Sequence, residues 1–179
     1  LDLRYNSGGE MECVQLLADI LVPADRLESP FAFLQYNDKQ SSKNRDLILD
    51  SQLLQGGANL NLPKVYIITS GTTAGAAEML INCLKPYMTI VLIGQTTKGE
   101  YVATETFINP KYPWALRPVV CEVFNSNGEA NYSTGFKPDI SINETSYLQY
   151  YLPLGDPNEI LLNTALGVSY RDLKRPKPQ

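Results

Sequence analysis

Apolar positions recur along this chain with two periods, near four residues and two, and the switches between them mark its elements. Cys13, Leu16, Leu17, Ile20 and Leu21 follow i, i+3, i+4, i+7, i+8 spacing, which predicts a helix with one buried face, ended by Pro23. Residues 1–4 before it read as a short strand running into the glycine turn Tyr5-Asn6-Ser7-Gly8-Gly9. Residues 31–36, 65–69 and 89–93 are short β-branched and aromatic or aliphatic runs, and each is expected to be a strand. A second helix is expected over 74–84, with Ala77, Leu80, Ile81 and Leu84 inward and Pro86 stopping it. Residues 37–61 are polar and mixed, a surface excursion with one short strand near 47–49.

From residue 101 the pattern changes to strict alternation, over 101–108 and 116–124, with a hairpin turn at Asn125-Ser126-Asn127-Gly128. Residues 135–140 lead into a short edge segment. Asp156, Pro157 and Glu159 have the spacing of an N-cap, N1 and N3, opening a last helix that buries Leu161, Leu162, Ala165 and Leu166. Strand, helix, strand, helix and strand followed by hairpins predict an α/β fold. Its sheet should be mostly parallel with flanking helices, and an antiparallel β-hairpin region should lie toward the C-terminus. A core domain over 1–168 and a basic, proline-containing tail over 169–179 complete the division.

Composition narrows the chemistry. The 179 residues carry a net charge of −4, which argues against a nucleic-acid partner. No apolar window has the length of a membrane span. The start Leu1-Asp2-Leu3-Arg4 reads as mid-strand, so we expect a fragment or processed form with sequence upstream. Three cysteines without a CxxC pattern give no zinc site, and Cys13 and Cys83 read as buried helix-face residues. There is no histidine, which removes Ser-His-Asp triads, Cys-His dyads and HExxH zinc sites. No metal or cofactor is expected.

The residues that carry chemistry lie in 69–79, Thr-Ser-Gly-Thr-Thr-Ala-Gly-Ala-Ala-Glu-Met. A buried strand, a turn and a helix opening on small residues present one side chain beside backbone N–H groups able to stabilise an oxyanion. Leu1-Asp2-Leu3-Arg4-Tyr5-Asn6-Ser7-Gly8-Gly9 resembles the LDLRxNxGG segment of the S41 peptidases, the C-terminal-processing or tail-specific proteases. Residues 69–78 are similar to their TSxxTASAxE nucleophile segment, 94–100 to GExTxGK with the catalytic lysine, and 135–140 to G-x-x-PD. Cys83-Leu84-Lys85-Pro86-Tyr87-Met88 is similar to GLKPYM in secreted or lipoprotein-like bacterial members.

The resemblance implies a ClpP/crotonase-like core, often preceded by a PDZ domain, a Ser–Lys dyad, an extended peptide or protein C-terminus as partner, and an extracytoplasmic setting. It also implies an oxyanion hole from the N–H groups of Gly8 or Gly9 and Ala76. Aligned on the same motifs, the nucleophile position holds Gly75 and the general-base position Glu100, 25 residues apart as in the family. Thr73 and Lys98 lie two residues earlier with the same separation and are candidate substitutes. Ser70 and Glu78 read as structural. Three functions follow: an S41 homologue that no longer hydrolyses peptides but retains binding, an active peptidase with a shifted dyad, or a structural and assembly module. An engineered knockout usually changes one residue, most often serine to alanine, so two losses read as a decayed or repurposed site.

Overall fold

The computed structural model describes residues 1–146 and 151–174. Helix α1 spans Met11–Leu21, α2 Ala76–Leu84 and α3 Ile160–Lys174. Strands β1 (Pro30–Tyr36) and β2 (Arg45–Ile48) precede β3 (Lys64–Thr69) and β4 (Thr89–Gly94). The remaining strands are β5 (Val102–Thr104), β6 (Phe107–Ile108), β7 (Ala115–Leu116), β8 (Val119–Asn125) and β9 (Ile140–Ser141).

The parallel sheet has the order β3-β4-β9. The first residues extend it on the far side of β3, where Leu3 N–H donates to the Ile68 carbonyl and Ile68 N–H to that of Leu1, both at 2.9 Å. Successive β3 side chains alternate in direction. Val65 and Ile67 therefore join Val14, Ala18, Leu21, Leu80, Ile81 and Leu84 in the main core, whereas Tyr66 and Ile68 face Leu161 and Ala165 of α3. The sheet is thus covered on one face by α1 and α2 and on the other by α3, the mixed α/β architecture expected.

The antiparallel sheet, in the order β2-β1-β8-β5, is not confined to the C-terminal half. β1 pairs with β8 from Ala32↔Asn125 to Tyr36↔Cys121, and β8 with β5 through Val102↔Glu122 and Ala103↔Cys121. The alternating run over 116–124 is two strands, because Pro118 offers no N–H and restricts Arg117 before it. β6 and β7 form their own two-stranded ribbon. The Asn125–Gly128 turn forms, with Gly128 N–H donating to the Asn125 carbonyl at 2.9 Å, but among the described residues no strand returns from it.

Two further expectations are corrected, the packed face of α1 and the start of α3. The buried residues of α1 are Val14, Ala18, Asp19 and Leu21, while Cys13 and Leu16 are exposed, so the packed face is rotated from the predicted one. Cys83 is buried, and burial pushes its thiol up to about 12. Helix α3 starts at Ile160: Glu159 accepts from Leu161 N–H (3.1 Å) and Leu162 N–H (3.0 Å), while Asp156 caps only the preceding turn. α3 also runs past residue 168 to Lys174, and its Asp172 accepts from Lys64 Nζ at 2.8 Å and Tyr66 OH at 2.6 Å. The rest of the predicted tail, 175–179, lies outside the described residues.

Asp19 is buried, with Oδ1 accepting from Asp50 N–H at 3.0 Å and Oδ2 unpartnered among the described residues. Burial raises its pKa from 3.8 to about 6, and the Asp50 and Glu28 charges add to the rise against the Asp50 hydrogen bond. The folded state therefore holds this proton more tightly than the unfolded chain, so the contribution of Asp19 to stability falls as pH rises from about 4 to 6 and is constant above. Asp19→Asn should remove that fall and raise stability at pH 7 by about 1–2 kcal/mol. Thermal melts of both proteins from pH 4 to 7 check this; a variant less stable at pH 7 would contradict it.

Candidate active site

The turn between β3 and α2 is built to hold one residue in an unusual backbone state. Gly75, the N-cap of α2, has φ +54 and ψ −115, a conformation that costs an L-residue and not glycine. A Cβ at this position would lie 3.4 Å from Gly8 Cα, 3.6 Å from Glu100 Oε2 and 3.7 Å from the Ser7 carbonyl oxygen. Those are ordinary contacts, so the site has room for a side chain that the sequence does not supply. Gly75 and Glu100, the positions that the resemblance sets at the dyad, therefore face one another.

Glu78 fixes this arrangement. It is fully buried on the first turn of α2, and its carboxylate collects four donors. Oε1 accepts from Gly99 N–H at 2.7 Å and from the Thr97 hydroxyl. Oε2 accepts from Glu100 N–H at 2.7 Å and from Gly75 N–H at 3.3 Å. One side chain thus ties the turn at Gly75 to the loop that carries Glu100. The loop is held from its other side too. Thr97 Oγ1 accepts from Phe136 N–H at 2.7 Å, and a Cβ on Gly99 (φ +96) would collide with the Ser133 carbonyl at 2.4 Å.

The glycine turn at residues 6–9 lies across from α2. Gly8 N–H is already bonded to Asn6 Oδ1 at 3.1 Å, so its donor is occupied by its own turn. Gly9 and Ala76 are in close approach, a Cβ on Gly9 falling 3.6 Å from that of Ala76. Neither backbone N–H has a partner among the described residues. Gly8, Gly9, Gly75, Ala76 and Glu100 all line one cleft of about 940 Å³. Its other wall is β5 and the start of β8, and its charged lining includes Glu10, Glu12, Lys43, Arg45 and Arg117.

Thr73 and Lys98 are not among the residues lining the cleft. Thr73 is buried; its hydroxyl donates to the Leu3 carbonyl at 2.9 Å and accepts from Ser70 N–H at 2.9 Å. The Lys98 side chain is 60% exposed and pairs with Glu100 Oε1 at 2.6 Å. That hydrogen bond raises the Lys98 pKa, so the amine stays protonated at neutral pH. Glu100 Oε2, the oxygen turned toward Gly75, receives no donor among the described residues. Among those residues no group of three or more His, Cys, Asp or Glu side chains is placed to hold a metal ion.

A network that sequence reading missed anchors the glycine turn from below. Arg4, whose side chain is 1% exposed, pairs with Asp2 Oδ2 (2.8 Å), Glu159 Oε1 (3.1 Å) and Glu144 Oε2 (3.3 Å). Tyr5 OH donates to Glu144 Oε1 at 2.6 Å. The only sequence signal was a charged residue inside a predicted strand, which is uncommon unless it is paired.

The model of peptidase family S41 matches residues 1–142. A provisionally assigned S41 protease from Bacteroides fragilis NCTC 9343 is 52% identical, with a TM-score of 0.92, over 96% of this chain and 44% of that one. The photosystem II D1 C-terminal processing protease matches at 21% identity and TM-score 0.64, over 92% of this chain and 39% of that one. A lipoprotein from Streptococcus agalactiae matches at 24% and 0.57, over 92% and 54%. The last two likenesses concern the fold. The chain spans less than half the length of the first two. With the family model covering most of its residues, and the motifs of the cleft falling inside that match, the chain belongs to peptidase family S41.

Proposed function

We propose that this chain is an S41 core that binds an extended peptide without hydrolysing it. One observation carries the reading: the position facing the base slot is Gly75, which has no side chain, and the base slot holds a carboxylate 3.6 Å from where a Cβ would sit. Acyl transfer needs a nucleophile and a base able to take its proton, each within about 3 Å of its target. The Thr73 hydroxyl spends its proton on a backbone carbonyl, and Lys98 is held protonated, so a shifted dyad lacks both parts. Binding is favoured by the cleft itself and by β5, an outer strand of the antiparallel sheet that lines it and offers a strand edge to an extended chain. Resemblance to secreted and lipoprotein-like members favours an extracytoplasmic setting, which fractionation of host cells checks.

Incubation with unstructured casein and with a fluorophosphonate probe tests the chemistry. Neither cleavage nor labelling is expected, and labelling abolished by Thr73→Ala would overturn the reading. Gly75→Ser alone should stay inactive. Gly75→Ser with Glu100→Lys should raise turnover at least about 10²-fold above background, the usual scale of a positioned base. The serine should also lower stability by about 1–3 kcal/mol, because φ +54 strains it. Isothermal calorimetry with extended peptides separates a binding cleft from an assembly module, which would give no heat.

A further inference from the structure

We propose that the emptied dyad is a clamp for the main chain of one residue of the bound peptide, with Glu100 Oε2 accepting its N–H and the Gly9 and Ala76 amides donating to its carbonyl. This deepens the peptide-binding reading and rests on it.

The cleft holds two kinds of unused hydrogen-bonding group. The Gly9 and Ala76 N–H groups have no acceptor among the described residues, and Glu100 Oε2 has no donor. Glu100 Oε2 lies 3.6 Å from where a Gly75 Cβ would sit, Ala76 follows Gly75 in the chain, and Gly9 lies against Ala76 in the same cleft. An extended backbone offers the complement, a donor and an acceptor on every residue. A carboxylate there accepts an amide proton, which the ammonium of a lysine cannot do. Glycine at 75 leaves open the volume through which a peptide backbone can approach the amides. The two substitutions therefore act in one direction: one makes room, and the other turns a donor into an acceptor.

The surroundings hold Glu100 in this role. Lys98 occupies Oε1 at 2.6 Å from outside the cleft and leaves Oε2 turned toward Gly75. Glu100 N–H is fixed on Glu78 Oε2 at 2.7 Å, which sets the backbone from which the carboxylate projects. Charge-assisted hydrogen bonds of this type are stronger than neutral ones. The ligand class is main chain rather than a particular side chain: an uncut, extended segment able to donate from the one residue that lies over Gly75.

The test is a double-mutant cycle on binding. A nine-residue alanine–valine peptide, acetylated and amidated at its ends, is N-methylated at each position in turn and titrated calorimetrically into the parent protein and into Glu100→Ala. One position should lose about tenfold in affinity on the parent protein and nothing further on Glu100→Ala, the scale of a hydrogen bond to a charged group. Methylation at positions bonded to the β5 edge should weaken both proteins equally. If every position behaves alike in the two proteins, the clamp is overturned while peptide binding stands. If the unmethylated peptide does not bind the parent protein, both readings fall. Circular dichroism melts of Glu100→Ala, a half-exposed position, verify that it is folded.

Discussion

Arg4→Ala should lower the stability of the fold by about 3–5 kcal/mol, the usual cost of removing one partner from a buried ionic cluster. Arg4 is the only cation among the described residues bonded to Glu144 and Glu159, whose side chains are 9% and 6% exposed. Without it, both carboxylates are left in a poorly hydrated space. Glu159 also caps α3, so the loss extends to the helix that covers one face of the parallel sheet. Asp2→Asn should cost under about 1 kcal/mol, because Asp2 is 42% exposed and water replaces the pairing. Urea denaturation gives both values from the shift in midpoint at unchanged slope. A loss below about 1 kcal/mol for Arg4→Ala would mean that water already reaches the cluster. Should that variant not fold, Glu144→Gln supplies a milder break with the same sign.

Glu78→Gln should cost about 2–4 kcal/mol and free the loop at residues 97–100. Four donors converge on this carboxylate. Glutamine keeps one acceptor oxygen and turns an NH₂ group toward N–H donors, so one bond becomes a donor-to-donor contact if the NH₂ replaces Oε1 and two if it replaces Oε2. The effect is local as well as global. Hydrogen exchange at Gly99 and Glu100 should speed up far more than in β3 or β4, whose ladders do not depend on Glu78. Uniform acceleration across the molecule would show that the residue supports the core rather than the site. With the loop released, Glu100 loses its fixed position relative to Gly75, so peptide affinity should fall along with local order.

Local segments with one dominant signal were legible in the sequence. The run from Val65 to Thr69 read as a buried strand leading through a turn into a helix from residue 74, and the helix starts two residues later, at Ala76. Motif alignment set Gly75 beside Glu100 as an expected pair, and in the fold a Cβ on Gly75 would lie 3.6 Å from Glu100 Oε2. Pairings between distant segments were not legible. Nothing local in the sequence at residues 30–36 says that their neighbour is 119–125, because either edge of an apolar strand can pair with any alternating run of similar length. The face of α1 was misjudged because large residues were weighted over small ones. Ala18 allows close helix packing and Asp19 has a backbone donor to meet, so the interface turns toward them and away from Leu16. The start of α3 was misjudged for a similar reason. Asp156 has cap chemistry, but Glu159 also has Arg4 to bind.

The pairing of β1 with β8 also governs the order in which the molecule can assemble. On the β8 side Ala32 pairs with Asn125, so one wall of the cleft requires the closure of a very long loop. The parallel pair β3–β4, joined through α2, needs only residues 64 to 94 and can form first. During synthesis, β1 emerges early and waits with one edge unpaired until residue 125 has been made, which leaves an aggregation-prone strand exposed in the nascent chain. β2 pairs with β1 through Ala32↔Leu47 and Leu34↔Arg45 and is available within a few residues. The polar excursion that carries β2 thus acts as an early cover for one edge of β1, while the other is kept for the strand that completes the cleft.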